Sequence, residues 1–277
     1  MPPDFHARAY WDARFGAGGE PVGGHEWLGL PETFTSACRT WLEALADSGS
    51  GRRADARRHA LQSMEGGSEL PPPPPPDVLH IGSGSSQLSF DLRRWLPTDC
   101  PPDCILNVDF SPAAVAAGSQ QESEQFGEPT DGASSMRWAT LDLLDSTDVV
   151  ALVRPATERP HRPLLILDKS TSDALSCGPA LQSPFDRTGP VLHPLALLGR
   201  NLALVAPEGS TWLVHSYSHD RFGGIDLGDG LWVRTRKELI DVPDLDKEGQ
   251  PILGRPCVQH STELWVRTAR ESPTISI

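Results

Sequence analysis

The stretch Asp77-Val78-Leu79-His80-Ile81-Gly82-Ser83-Gly84-Ser85-Ser86 decides how this chain is read. A short apolar run rich in branched side chains stops at two glycines and three serines. Helix-compatible sequence, Gln87 to Trp95, follows at once. This is the pattern of a buried strand turning tightly into a helix. Glycine lets the backbone bend sharply and lie flat against a ligand with no Cβ in the way. The first turn of the next helix offers N–H groups to an electron-rich partner. The stretch therefore predicts a nucleotide-type cofactor at the carboxyl end of a first strand. Gly82 and Gly84 fill the first two positions of G-x-G-x-x-G, but position 87 is Gln. The third glycine lets helix and strand pack closely beneath a pyrophosphate, so its absence argues against NAD or FAD.

Downstream, strands and helices alternate. Cys104–Val108 reads as a second strand ending at Asp109, with Ser111 as N-cap and Pro112 at the first helical position of the next helix. Met136–Thr140 reads as a third strand closing on Leu141-Asp142, Asp148–Arg154 as a short helix, and Pro163–Leu167 as a fourth strand ending at Asp168. A helix built on Leu192, Leu195, Leu198 and Leu202 leads into a fifth strand, Thr211–Ser216. Such alternation implies a parallel sheet covered by helices on both faces, an α/β fold. Leu231–Thr235 and Ser261–Thr268 are β-rich runs with no crossover helix between them, which predicts an antiparallel hairpin at one sheet edge.

Upstream, residues 1–30 are polar and glycine-rich but carry aromatics, among them Tyr10, Trp11, Phe15 and Trp27. Residues 31–47 read as an amphipathic helix on Phe34, Cys38, Trp41, Leu42 and Leu45. The region 48–76 carries Gly-Ser repeats, four arginines and six consecutive prolines, Pro71 to Pro76, a stiff polyproline II spacer. Three regions follow: an aromatic cap and helix (1–47), a flexible insertion (48–76) and the α/β domain (77–277).

A net charge of −13 and a pI near 5.1 argue against a nucleic-acid backbone as partner. There is no apolar run of about 18 residues to span a membrane and no apolar signal core at the N-terminus. Five scattered cysteines, in which Cys100 and Cys104 have no second pair or histidine cluster, read as an intracellular, reducing compartment without a zinc site. The expected location is cytoplasmic.

Functional residues gather where strands end at the carboxyl edge of such a sheet. Here those ends read Gly82-Ser83-Gly84, Asp109-Phe110, Asp142-Leu143, Asp168 and Ser216-Tyr217. Asp109, 25 positions after Gly84, can accept hydrogen bonds from both hydroxyls of a ribose, and Asp142 suits the exocyclic amine of an adenine. Asp168-Lys169-Ser170-Thr171-Ser172-Asp173-Ala174-Leu175 sets two carboxylates and a lysine at the mouth of that pocket. An ion pair of Lys169 with Asp168 or Asp173 is the structural alternative, and His80, inside the first strand, reads as a core residue. Neither a nucleophile elbow nor a phosphate loop nor a His-x-x-x-His metal pair occurs.

Taken together, these residues resemble the class I S-adenosylmethionine-dependent methyltransferases. Within that family the chain is similar to the branch with Tyr-Trp-Asp-x-Arg-Tyr near the N-terminus and Asp/Glu-Lys-Gly-Thr-x-Asp-Ala-Leu after the fourth strand. Here those motifs stand as Tyr10-Trp11-Asp12-Ala13-Arg14-Phe15 and Asp168 to Leu175, with His25-Glu26-Trp27-Leu28 and Ser216–Phe222 as further matches. The resemblance implies a Rossmann-like, doubly wound, seven-stranded sheet, mostly parallel with a C-terminal antiparallel hairpin. It implies S-adenosylmethionine held by Trp11, Trp27, Gly82, Ser83, Gly84, Asp109, Phe110, Asp142, Leu143 and Asp168. It also implies that Asp168, Asp173 and Tyr217 orient the neutral amine of a protein lysine or N-terminus, with translation elongation factor 1-alpha as a possible substrate. The family turn reads Gly-Cys-Gly-Asn-Ser, whereas Ser83 and Ser85 stand here, and Ser170 replaces a usual glycine. A small-molecule methyltransferase on the same scaffold would need the 177–190 and 217–230 loops to enclose an apolar pocket, where a protein methyltransferase leaves an open acidic groove. A degenerate, non-catalytic binding module is the third alternative.

Overall fold

The computed structural model describes residues 4–16, 29–47, 77–84, 86–98, 100–127, 134–145, 148, 163–183, 186–242 and 258–269. Trp27, the expected insertion at 48–76 and all of the expected helix 148–154 beyond its first residue lie outside them. In chain order the elements are α1 (Arg8–Phe15), α2 (Glu32–Asp47), β1 (Val78–Ile81), α3 (Leu88–Trp95), β2 (Ile105–Asp109) and α4 (Pro112–Phe126). They continue with β3 (Arg137–Thr140), β4 (Leu165–Lys169), α5 (Thr171–Leu175), β5 (Leu181–Ser183), β6 (Asp186–Leu192) and α6 (Pro194–Val205). The last are β7 (Thr211–Ser216), β8 (Trp232–Val242) and β9 (Val258–Arg267).

Seven strands form one sheet in the order β3-β2-β1-β4-β7-β9-β8. The pairs from β3 through β7 are parallel, and β9 runs antiparallel to both β7 and β8. This is the expected Rossmann-like doubly wound sheet with its C-terminal antiparallel hairpin. Strands β1, β2 and β4 are buried at every position, as continuous apolar runs covered on both faces must be. Successive side chains alternate between two cores. Leu79, Ile81, Ile166, Trp212 and Val214 pack beside Leu195, Leu198 and Leu202 of α6. Val78, Leu165, Leu167 and Leu213 pack beside Phe34, Cys38 and Leu42 of α2 and Leu88, Phe90 and Leu92 of α3. Burying each of these large side chains contributes roughly 1.5–3 kcal/mol. Among the described residues, no helix is long and apolar enough to cross a membrane.

Four local features depart from the sequence reading. Arg8–Phe15 is helical within a segment expected to be loop, although none of its residues is buried. So short a helix depends on tertiary docking rather than propensity. Strand β4 runs two residues beyond Leu167 because Asp168 and Lys169, despite their charge, continue the ladder opposite Val214 and His215. The segment after Cys177 folds back as a two-stranded antiparallel hairpin, β5–β6. Leu192 consequently belongs to β6, and α6 begins at Pro194 with the His193 ring nitrogen Nδ1 accepting from the Leu195 amide at 3.2 Å.

Candidate active site

Strand β1 has β2 on one side and β4 on the other, so the chain leaves the two central strands in opposite directions and opens a crevice at their carboxyl ends. A cavity of about 310 Å³ occupies it. Its floor is the turn after β1, where Gly82 and Gly84 have φ of 55° and 47°. A Cβ on Gly82 would collide with the Thr171 side chain, and one on Gly84 would lie 3.3 Å from Phe15 Cζ. Left-handed backbone and close approach together require glycine at both places. The Thr171 hydroxyl donates to the Ile81 carbonyl oxygen at 2.9 Å, tying the start of α5 to the end of β1.

The acids at the ends of β2 and β3 line the same cavity. Asp109 is 6% exposed, and its carboxylate accepts from the amides of Gly84 and Ser111, each at 2.9 Å. Burial outweighs those two bonds and pushes its carboxyl up to about 6. The Ser111 hydroxyl donates to Asp12 at 2.7 Å, which pins α1 over this end of the cavity. Trp11 and Phe15 of α1 stack at 5.8 Å between centroids and face inward. Asp142 accepts from the Leu144 amide at 2.9 Å, and burial raises its carboxyl above the ordinary range.

Another wall is built from α5 and the loop after β7. Asp168 is fully buried, its two oxygens accepting from the amide and hydroxyl of Ser172, and burial pushes its carboxyl up to about 6. It stands behind the cavity wall. Asp173 stands in the wall and accepts from Ser216 Oγ at 2.6 Å, the Tyr217 amide at 3.0 Å, and Arg221 Nε at 2.8 Å and Nη2 at 2.6 Å. Arg221 Nη1 reaches Ser176 Oγ at 2.6 Å. Ser170 sits in the left-handed region at φ 67°, the position where the related motif carries glycine. Burial and the Asp173 charge hold the Tyr217 phenol above its ordinary pKa.

Trp11, Gly82, Ser83, Gly84, Asp109, Phe110, Asp142, Leu143, Asp173 and Tyr217 are thus brought together around one cavity, while Asp168 is not in its wall. Sequence reasoning missed Phe5, Thr171 and Arg221 as lining residues. Arg221 lay within the quoted polar stretch after the fifth strand, five residues beyond Ser216, and its charge opposite Asp173 was the available signal. Phe5 carried no signal, because the indole N–H of Trp11 places it by donating to its carbonyl at 2.6 Å.

The residues present fit a nucleoside bearing an amino-acid tail. The Ser83 hydroxyl, 1% exposed, lines the cavity with no hydrogen-bond partner among the described residues. A buried orphan of this kind calls for a polar ligand group. The glycine turn leaves room for backbone approach, and Asp109 and Asp142 present the acceptors that a ribose and an adenine need. Among the described residues, no three metal-ligating side chains cluster.

No protein-family model matches the chain. Methyltransferase srdJ of Neurospora crassa is 30% identical over 225 residues, covering 81% of this chain and 72% of that protein. Solved structures with a similar fold include magnesium protoporphyrin IX methyltransferase from Synechocystis PCC 6803 with bound S-adenosylmethionine, with a TM-score of 0.39 and 12% identity over 87% of this chain and 86% of that one. The N-methyltransferase NodS from Bradyrhizobium japonicum WM9, in complex with S-adenosylhomocysteine, gives a TM-score of 0.37 and 13% identity over 79% and 86%. Resemblance to srdJ across four-fifths of the sequence, on a sheet of the order described above, means that this chain belongs to the class I S-adenosylmethionine-dependent methyltransferases.

Proposed function

We propose that the protein transfers a methyl group from S-adenosylmethionine to a small molecule held between α1, α5 and the loop after β7. The observation that carries this reading is the engagement of Asp173. A cationic amine needs a carboxylate to receive it, and the Asp173 carboxylate is already matched by Arg221, Ser216 and the Tyr217 amide. The cavity lining as a whole includes four aromatic side chains, Phe5, Trp11, Phe15 and Tyr217. Ser83 and the glycine turn hold the amino-acid tail of the cofactor, Asp109 its ribose and Asp142 its adenine. Asp168 acts from behind, by fixing the start of α5 through Ser172.

S-adenosylmethionine supplies an activated methyl on a sulfonium, so the protein's task is chiefly positioning: the acceptor atom must lie about 3–3.5 Å from that carbon and in line with the bond that breaks. A second reading is a protein lysine or N-terminal amine, with translation elongation factor 1-alpha as a candidate partner and the cytoplasm as the location. The likeness of Asp168–Leu175 to the related octapeptide supports it. That reading requires Asp173 to exchange Arg221 for the substrate amine. Calorimetry with S-adenosylhomocysteine tests the shared part: binding that weakens at least tenfold in Asp109→Ala is expected, and no binding by the parent protein sinks the assignment. Label from methyl-tritiated S-adenosylmethionine, followed into cell-extract proteins and into extracted metabolites, separates the two acceptors.

A further inference from the structure

The wall of the cavity formed by the end of β4, α5 and the loop after β7 presents hydrogen-bond donors. Arg221 lines it with a guanidinium, and Lys169 belongs to the same wall. The Ser170 hydroxyl, also in the lining, is buried without a hydrogen-bond partner among the described residues. The only carboxylate in this wall, among the described residues, is Asp173, which is ion-paired with Arg221 and takes three of its four donors on Oδ1. The other nearby acid, Asp168, is turned inward to Ser172. A guanidinium has five N–H donors in a fixed fork. Three N–H groups suffice for the Arg221 bonds to Asp173, Ser216 and Ser176, so its fork retains capacity toward the cavity. Charge-assisted bonds from arginine to an oxyanion are the strong class of such contacts.

The geometry points to Arg221 as the residue that selects the methyl acceptor, and to a small oxygen acid, a carboxylate or phenolate, as the acceptor class. This rests on the methyl-transfer reading above. An acceptor oxygen, already deprotonated or losing its proton to solvent, donates an electron pair to the methyl carbon. The carbon–sulfur bond breaks with its pair going to sulfur, and the products are a methyl ester or aryl ether and S-adenosylhomocysteine. Arg221 and Ser170 hold the oxygen acid without removing a proton from it. An ammonium acceptor would have to compete with Arg221 for Asp173.

Label transfer from methyl-tritiated S-adenosylmethionine by the full-length protein tests this with benzoate, methyl 4-hydroxybenzoate and benzylamine as probes. Label is expected in benzoate or in the phenol and not in benzylamine. In Arg221→Gln the KM for the reacting oxygen acid should rise at least tenfold with S-adenosylhomocysteine affinity unchanged within twofold, and Arg221→Lys should recover most of the loss. Transfer to benzylamine alone, transfer to none of the probes while S-adenosylhomocysteine binds, or an Arg221→Gln variant with an unaltered KM overturns the assignment. Failure of the parent protein to bind S-adenosylhomocysteine brings down the methyl-transfer reading instead.

Discussion

The hydroxyl of Thr171 and the carbonyl oxygen of Ile81 lie 2.9 Å apart, so the first residue of α5 is bonded to the last residue of β1. The same side chain fills the space in which Gly82 would carry a Cβ. The glycine turn and α5 are therefore fitted to each other. Gly82→Ala should destabilise the fold by about 2 kcal/mol or more, since a left-handed backbone is strained and a packed side chain must move. Thr171→Val keeps the shape and loses one hydrogen bond, a cost of about 1 kcal/mol. Urea unfolding checks both, and a Gly82→Ala variant as stable as the parent contradicts the fit.

Ser170→Gly should stabilise the protein. Serine at φ 67° is strained in a backbone region that glycine enters freely. Relief is expected at about 0.5–1 kcal/mol, or a rise in melting temperature of a few degrees for a chain of this size. Differential scanning calorimetry reads it directly. A lowered melting temperature would show that the serine hydroxyl contributes more than its backbone costs.

Cofactor affinity should fall in acid. Burial pushes Asp109 up to about 6, and ribose hydroxyls donate best to its ionised form. Affinity for S-adenosylhomocysteine is then full above about pH 6 and weakens below it, approaching tenfold per pH unit. Asp109→Asn should bind weakly at every pH and flatten the profile. Calorimetric titrations from pH 7.5 to 5 decide, and a flat profile in the parent protein removes Asp109 from the ribose site.

Four buried groups set opposing acid responses. His80 and His215 are pushed down to about 3 and about 4, chiefly by burial, from an unfolded value near 6.5. Their contribution to stability is full above 6.5 and is lost as pH falls toward the folded values. Asp109 and Asp168, both raised to about 6, act the other way: they cost stability above 6 and the cost is relieved as pH falls toward 3.9. Between about pH 6 and 4 the two pairs offset each other. Asp168→Asn removes one relieving group, so as pH falls its unfolding free energy should drop relative to the parent by about 1.4 kcal/mol per pH unit over that window. Urea titrations at pH 4, 5 and 6 measure the difference. An identical slope in the two proteins refutes the balance.

The fold was legible where pattern and burial agree. Strands β1, β2 and β7 are apolar runs bounded by turn residues, and Ser111-Pro112 announces α4 with a hydroxyl that accepts from the Ala114 amide. Legibility failed where tertiary contact overrides local chemistry. Lys169 looks like a loop residue until β7 pairs with it, and α1 has no buried side chain to impose a helical period. In the site, the acids at the ends of β2 and β3 were legible from strand order alone. The distinction between Asp168 and Asp173 was not, because it depends on one carboxylate turning in to Ser172 while the other turns out to Arg221.

Strand β9, the last described element of the chain, lies between β7 and β8 rather than at an edge. During synthesis β7 emerges before β8 and β9, and its open side stays unsatisfied until residues 258–267 arrive to pair with it. The parallel half of the sheet can collapse beforehand, but it then presents a bare central strand to any neighbouring chain. Final closure of the sheet is thus a long-range event, coupling the arrival of residues 258–267 to escape from aggregation. A chain ending before Val258 would keep every described residue that lines the cavity and still lack a finished sheet.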